Sequence, residues 1–187
     1  MWKTQVTFEL PAWCGSYEFA VRCRTSEDKI RLALDLARRN VSEGTGGPFG
    51  AAVFERATGK LIAAGVNIVV PARASIAHAE MIALTLAQRE LGTHDLSGAG
   101  CELASSAEPC AMCLGAIPWS GVSRLLCSAR DEDVRAAGFD EGAKPANWPE
   151  QLKWRGIEVV PEILREEGRA VLAAYRQSGG PVYNPQR

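Results

Sequence analysis

His78-Ala79-Glu80, followed further on by Pro109-Cys110-Ala111-Met112-Cys113, constrains this chain more than any other group of residues. Two cysteines three positions apart on a helix share one face, and a histidine from a second helix can complete the set around a zinc ion. Any fold that uses the set must bring two segments distant in sequence to within a few ångströms of each other. A structural zinc site takes four protein ligands, whereas a catalytic one takes three and keeps a position for water. The only other histidine, His94, lies in a polar stretch and reads as a surface residue. Three ligands (His78, Cys110 and Cys113) with Glu80 alongside point to a hydrolytic Zn2+ centre. A lone Cys-x-x-Cys could be a redox pair, but the aromatic-Cys-Gly-Pro-Cys setting of that chemistry is missing.

The spacing also suggests roles. His78 and Cys110 fall near expected helix N-termini, where orphan N–H groups and the positive end of the dipole favour thiolate over thiol. Zinc would lower the pKa of a water towards ~7. Glu80, two residues past His78, projects to a different side of the helix turn. It is expected beside that water, as general base and then acid, rather than on the metal. Attack on an amine-bearing ring carbon would then release ammonia.

Composition narrows the substrate. The chain has 187 residues, 47% of them hydrophobic and 23% charged, as expected of one globular domain. Net charge is −1, and the longest basic run is Arg38-Arg39. Proteins that grip nucleic acid usually carry a basic face, so no nucleic-acid partner is expected. Of the six cysteines, Cys101 and Cys127 lie in apolar runs and read as free core residues rather than disulfides. Lys3, Glu9, Glu18 and Arg22 interrupt any leader-like apolar region near the start. No stretch reaches the ~18 apolar residues of a membrane helix. A cytoplasmic protein with no membrane partner is expected.

Along the chain, residues 1–24 read as an N-terminal arm. Apolar Ile30, Ala33, Leu34, Ala37 and Val41 recur at helical spacing from about Thr25, with Thr25 and Asp28 placed to cap the helix. Gly50–Arg56 and Leu61–Val70 read as a hairpin around Ala57-Thr58-Gly59-Lys60, with Pro71 ending the second strand. Ser75 is placed to cap a helix to about Leu91. A strand over Cys101–Ser105, a helix from Pro109 to Ile117 and a strand over Val122–Ser128 follow. Asp131-Glu132-Asp133 opens a helix that Gly138 stops. Ile157–Val160 reads as a last strand and Glu162–Arg176 as a last helix. The domain proper is expected over 25–177, with an irregular tail over 178–187. The hairpin followed by alternating helices and strands implies a mixed sheet with helices on both faces.

The chain resembles the cytidine deaminase superfamily and, within it, the bacterial guanine deaminase branch. The resemblance rests on Gly46-Gly47-Pro48-Phe49-Gly50-Ala51-Ala52-Val53, Asn67, Ala77-His78-Ala79-Glu80, Ser106-Ala107-Glu108-Pro109-Cys110-Ala111-Met112-Cys113 and Gly138-Phe139-Asp140-Glu141-Gly142. The last of these is more particular to guanine deaminase-like proteins than the others. The resemblance implies a three-layer α/β/α sandwich around a five-stranded mixed sheet, and a homodimer. It implies zinc on His78, Cys110 and Cys113, with Glu80 as proton shuttle and Glu141 passing a proton to the leaving amine. Asn67 would hydrogen-bond the heterocycle, Phe49 and Phe139 would stack on it, and Ala79 would belong to the substrate site. From the residues alone, Asn67 reads equally as a sheet-edge amide, and Asp140-Glu141 as a solvated loop. Trp119 and Trp148 read as packing residues. The resemblance would also have Tyr183 and Asn184 cover the pocket, of their own chain or of a partner's. The implied reaction turns guanine into xanthine and ammonia. Ammeline and other aminated s-triazines, guanosine and cytosine-type bases are the nearest alternatives. A tRNA adenosine deaminase and a non-catalytic zinc scaffold are the readings from other classes.

Overall fold

The computed structural model describes residues 4–16 and 22–184. Residues 1–3 and 17–21 of the expected arm, and 185–187 of the tail, lie outside the described residues. Thr25 and Asp28 open the first helix reciprocally. The Asp28 N–H donates to Thr25 Oγ1 and the Thr25 N–H to Asp28 Oδ2, both at 3.1 Å. Helix α1 (Ser26–Ser42) leads into the hairpin β1 (Gly50–Glu55) and β2 (Leu61–Val66). Next come a short α2 (Val69–Ala72), α3 (Ala79–Glu90), β3 (Cys101–Ala107), α4 (Ala111–Ser120) and β4 (Arg124–Ala129). The chain closes with α5 (Asp131–Ala136), α6 (Trp148–Trp154), β5 (Glu158–Val160) and α7 (Arg165–Gln177).

The five strands form one mixed sheet in the order β2-β1-β3-β4-β5. β1 pairs antiparallel with β2 and β3, while β3–β4 and β4–β5 are parallel. Both faces are covered, so the central strands read as apolar runs rather than alternating patterns. Ala51 and Val53 face the layer of α3, α4 and α6, with Leu103 and Leu125 beside them. Ala52 and Phe54 face the opposite layer with Ala104 and Leu126, against Ile30 and Leu34 of α1 and Val171 of α7. This is the expected three-layer α/β/α sandwich.

Three local expectations need correction, and one helix lay outside them. Residues 69–70 do not extend the second strand: it ends at Val66, and Pro71 lies inside α2. The Val69 N–H donates to Asn67 Oδ1 at 3.3 Å, a turn two residues long that overrides the β preference of Val69 and Val70. Ser75 does not cap α3, because residues 74–78 turn back on themselves and His78 takes the cap position. Trp119 does not pack. Cys113, Ile117 and Ser120 form the inward stripe of α4, which leaves Trp119 on the outer side and 81% exposed. Helix α6 went unanticipated; Pro149 at its start and buried Trp148 and Leu152 hold it.

A buried ion pair clips α1 to the centre of the sheet. Lys29, 4% exposed, bonds to Glu102, 0% exposed, and Arg124 reaches the other Glu102 oxygen at 3.4 Å. Removing one buried partner strands the other charge in a poorly solvated site. Glu102→Leu is therefore expected to lower unfolding free energy by about 3–5 kcal/mol, and adding Lys29→Met to restore most of that loss, in urea denaturation.

Candidate active site

Two helices begin at the same place. His78 is the residue before α3 and Cys110 the residue before α4, each with extended backbone (ψ 154° and 170°) and neither giving its helix a side-chain cap. The positive ends of both helix dipoles therefore lie at His78 and Cys110. Close contact with the sheet seats α3: a Cβ on Gly65 of β2 would lie 2.4 Å from the Ala79 carbonyl oxygen and 2.6 Å from the Ala83 nitrogen.

His78 Nδ1 lies 3.5 Å from Cys110 Sγ and 3.7 Å from Cys113 Sγ, and the three donor atoms fall within 4.8 Å of one another. At usual zinc bond lengths, a tetrahedral ion holds nitrogen and sulfur ligands about 3.5 Å apart. The donor set and its spacing fit zinc. A hydrogen bond from Cys113 pulls the Cys110 thiol down to about 4, with further help from His78 and against burial. Giving that bond, together with burial, drives Cys113 upward. Burial pulls the His78 imidazole down, but the bond to Cys110 and the charges of Glu80, Cys110 and Glu141 carry it above its ordinary value.

Glu80, in the first turn of α3, is 6% exposed and accepts a hydrogen bond from Ser105 Oγ at 3.4 Å. Burial pushes its carboxyl up, and the Cys110 charge adds to the rise, while His78 opposes it. Glu141, also 6% exposed, lies in the loop between α5 and α6, whose backbone is fixed by the Ala111 N–H donating to the Glu141 carbonyl at 2.9 Å. Burial raises its carboxyl to about 8; Lys144 pulls it down, and Cys110, Glu80 and Asp131 push it up.

Both carboxylates, His78 and Cys110 line one cavity of about 220 Å3 with Phe49, Phe139, Tyr183 and Asn184. Phe49 and Phe139 meet edge to face at 5.1 Å, and Tyr183 leans on Phe139 at 5.3 Å. Asn184 ties the tail to the Glu141 loop: its Oδ1 accepts from the Asp140 N–H at 2.8 Å, and its Nδ2 donates to the Gly138 carbonyl at 2.9 Å. The tail thus lies over the cavity of its own chain. Asn67 is 1% exposed, and its Nδ2 has no protein partner, like the buried hydroxyl of Tyr183. A Cβ on Gly47 would come within 3.0 Å of Asn67 Oδ1 and 2.5 Å of that hydroxyl, so the two side chains flank the same glycine. Ala79 is wholly buried in the core, and its side chain is not part of the lining. His94 is exposed. Val69, Ser75 and Glu108 also line the cavity and were not anticipated. Of these, only Glu108, two residues before Cys110, lay inside a motif that could have flagged it.

The profile of the cytidine and deoxycytidylate deaminase zinc-binding region matches residues 24–129. The chain belongs to that deaminase family. Over 115 residues this family member is 40% identical to the guanine deaminase of Bacillus subtilis (strain 168), across 62% of this chain and 71% of the relative. A solved structure of guanine deaminase from Nitrosomonas europaea is 47% identical, with a TM-score of 0.89 over 95% of this chain and 99% of that one. Another solved structure, a complex with 8-azaguanine, is 48% identical, with a TM-score of 0.89 over 93% of this chain and 98% of that one. The deaminase fold therefore extends through nearly all of the chain.

Two expectations follow for this deaminase. A carboxyl that holds its proton more tightly when folded stabilises the fold fully below its unfolded value and loses that contribution as pH rises through its folded value. For Glu141 the window runs from the ordinary 4.5 to about 8. In chelator, stability should fall across that window by up to ~1.4 kcal/mol per pH unit more in the unsubstituted protein than in Glu141→Gln, as read by denaturation at each pH. Deleting residues 178–187 should raise KM by about tenfold or more, because the cavity loses Tyr183 and its lid; steady-state kinetics check this.

Proposed function

We propose that the protein hydrolyses guanine to xanthine and ammonia, using one zinc ion per chain held by His78, Cys110 and Cys113. The observation that carries this reading is two buried carboxylates, Glu80 and Glu141, on one small aromatic-walled cavity beside the His/Cys/Cys cluster. Likeness to solved guanine deaminase over nearly the whole chain supports the choice of substrate.

When bound, the ion supplies the acidity that makes hydroxide available near neutral pH. Glu80, on a rigid helix turn, takes the proton of the attacking water on its carboxylate and delivers it to the ring nitrogen next to the attacked carbon. An amine leaving as an anion is prohibitive, so it must depart protonated. Glu141, whose carboxyl burial holds up to about 8, keeps a proton at neutral pH and gives it to that amine. Asn67 offers its unpartnered Nδ2 to the heterocycle. Phe49 and Phe139 grip the ring faces and edges, and Tyr183 and Asn184 exclude water.

The functional unit in this reading is a cytoplasmic homodimer. Family resemblance supports the dimer, and the exposed Trp119 and Trp154 offer apolar surface for it. The six cysteines are free, which suits a reducing compartment. No helix among the described residues is long and apolar enough to cross a membrane.

The test is ammonia release by zinc-loaded protein on guanine and ammeline, with Glu80→Ala and Glu141→Ala alongside. Guanine should turn over fastest, and each variant should lose about 10²- to 10⁴-fold in kcat. An inert guanine beside a reactive triazine would reassign the substrate. No release from any purine, pyrimidine or triazine would leave a ligand-binding scaffold.

A further inference from the structure

Lys144, three residues past Glu141 in the same loop, has no part in the chemistry above. Its side chain is only 6% exposed, which for an ammonium requires compensating partners. It has three, from three different segments. Nζ donates to the Pro109 carbonyl at 2.9 Å, pairs with Asp131 Oδ1 at 2.5 Å and lies 3.8 Å from Glu141 Oε2. Pro109 immediately precedes the ligand Cys110, and Asp131 heads α5. Among the described residues, Lys144 is the one cation within 4.0 Å of the Glu141 carboxylate.

The surrounding bonds separate two jobs. The main chain of the loop has its own anchors: the Ala111 N–H on the Glu141 carbonyl, and an Arg135 nitrogen donating to the Gly142 carbonyl at 2.7 Å. Arg135 also pairs with Asp131 at 2.5 Å, which fixes the carboxylate that in turn holds Lys144. The loop backbone therefore does not need Lys144 to stay in place. What the ammonium adds is a fixed positive charge facing the Glu141 side chain, referenced to the residue next to a metal ligand.

We propose that Lys144 is a positioning residue that orients the Glu141 carboxyl within the cavity, with Asp131 and the Pro109 carbonyl fixing the ammonium. This rests on the reading of Glu141 as the acid that serves the leaving amine. A purely structural staple would act through folding or through Cys110 and would be indifferent to the chemistry of residue 141.

Lys144→Met removes the charge at similar length, Lys144→Gln keeps a donor without charge, and Lys144→Arg keeps the charge. With guanine, Lys144→Met and Lys144→Gln should each lower kcat about 10- to 100-fold, with KM within about threefold, and zinc content and thermal midpoint near those of the unsubstituted protein. Lys144→Arg should recover most of the loss. In a Glu141→Gln background, adding Lys144→Met should change kcat by less than about twofold, because the two residues act as a unit. Multiplying losses, a loss carried by KM, or zinc content falling in step with kcat would each overturn the proposal while leaving Glu141 its role. Glu141→Gln with unchanged kcat would instead remove the reading of Glu141, and this proposal with it. If Lys144→Met does not fold, Lys144→Gln carries the same comparison.

Discussion

Two helix N-termini meeting at one point organise this molecule. His78 and Cys110 each occupy the position before a helix, and neither provides a side-chain cap. The positive ends of the α3 and α4 dipoles thereby lie together at His78 and Cys110, where they favour negative charge. The Cys110 thiol, pulled well below its ordinary range, and the Glu80 carboxyl lie there. The sheet enforces the meeting: β3 delivers the chain to Cys110, and Gly65 in β2 lets the start of α3 lie directly on the strand. The buried Lys29–Glu102 pair ties the opposite layer to the same central strand. Site and core therefore share their supports.

Within that space, two carboxylates have different mechanical standing. Glu80 sits on the first turn of a buried helix, two residues past His78, with Ser105 of β3 at its oxygen. Glu141 sits in a loop, held by the Ala111 N–H at its backbone and faced by Lys144 at its carboxylate. Burial raises both, so each holds a proton more readily than an exposed glutamate. In the proposed reaction, a rigid group suits transfer at the fixed ring nitrogen, and one on a loop can follow a departing amine.

Two side chains, Tyr183 on the cavity lining and Asn67 outside it, carry unspent hydrogen-bonding capacity. Asn67 Nδ2 and the Tyr183 hydroxyl are buried without protein partners, and each such group costs about 1–3 kcal/mol in the empty protein. A bound heterocycle that satisfied either would offset that cost, whereas a merely apolar planar ligand would not. In small pockets of this kind, specificity comes from directional groups more than from aromatic walls.

What the residues determined alone was local and chemical. The spacing of His78, Glu80, Cys110 and Cys113 announced the donor set, Thr25 with Asp28 placed the start of α1, and apolar runs in β1, β3 and β4 marked strands buried on both faces. These survive because backbone periodicity and cap chemistry act within a few residues. Asn67 could not be read that way: its turn-forming oxygen broke the second strand, and its other amide end had no visible destination. Trp119 looked like core because an indole usually is, yet its angular position on α4 put it outside. The tail's place over its own cavity, the orphaned Asn67 and Tyr183 atoms, and Lys144 among Pro109, Asp131 and Glu141 came only from tertiary structure. Each depends on contacts between segments far apart in the chain, where no periodicity links one residue to the next.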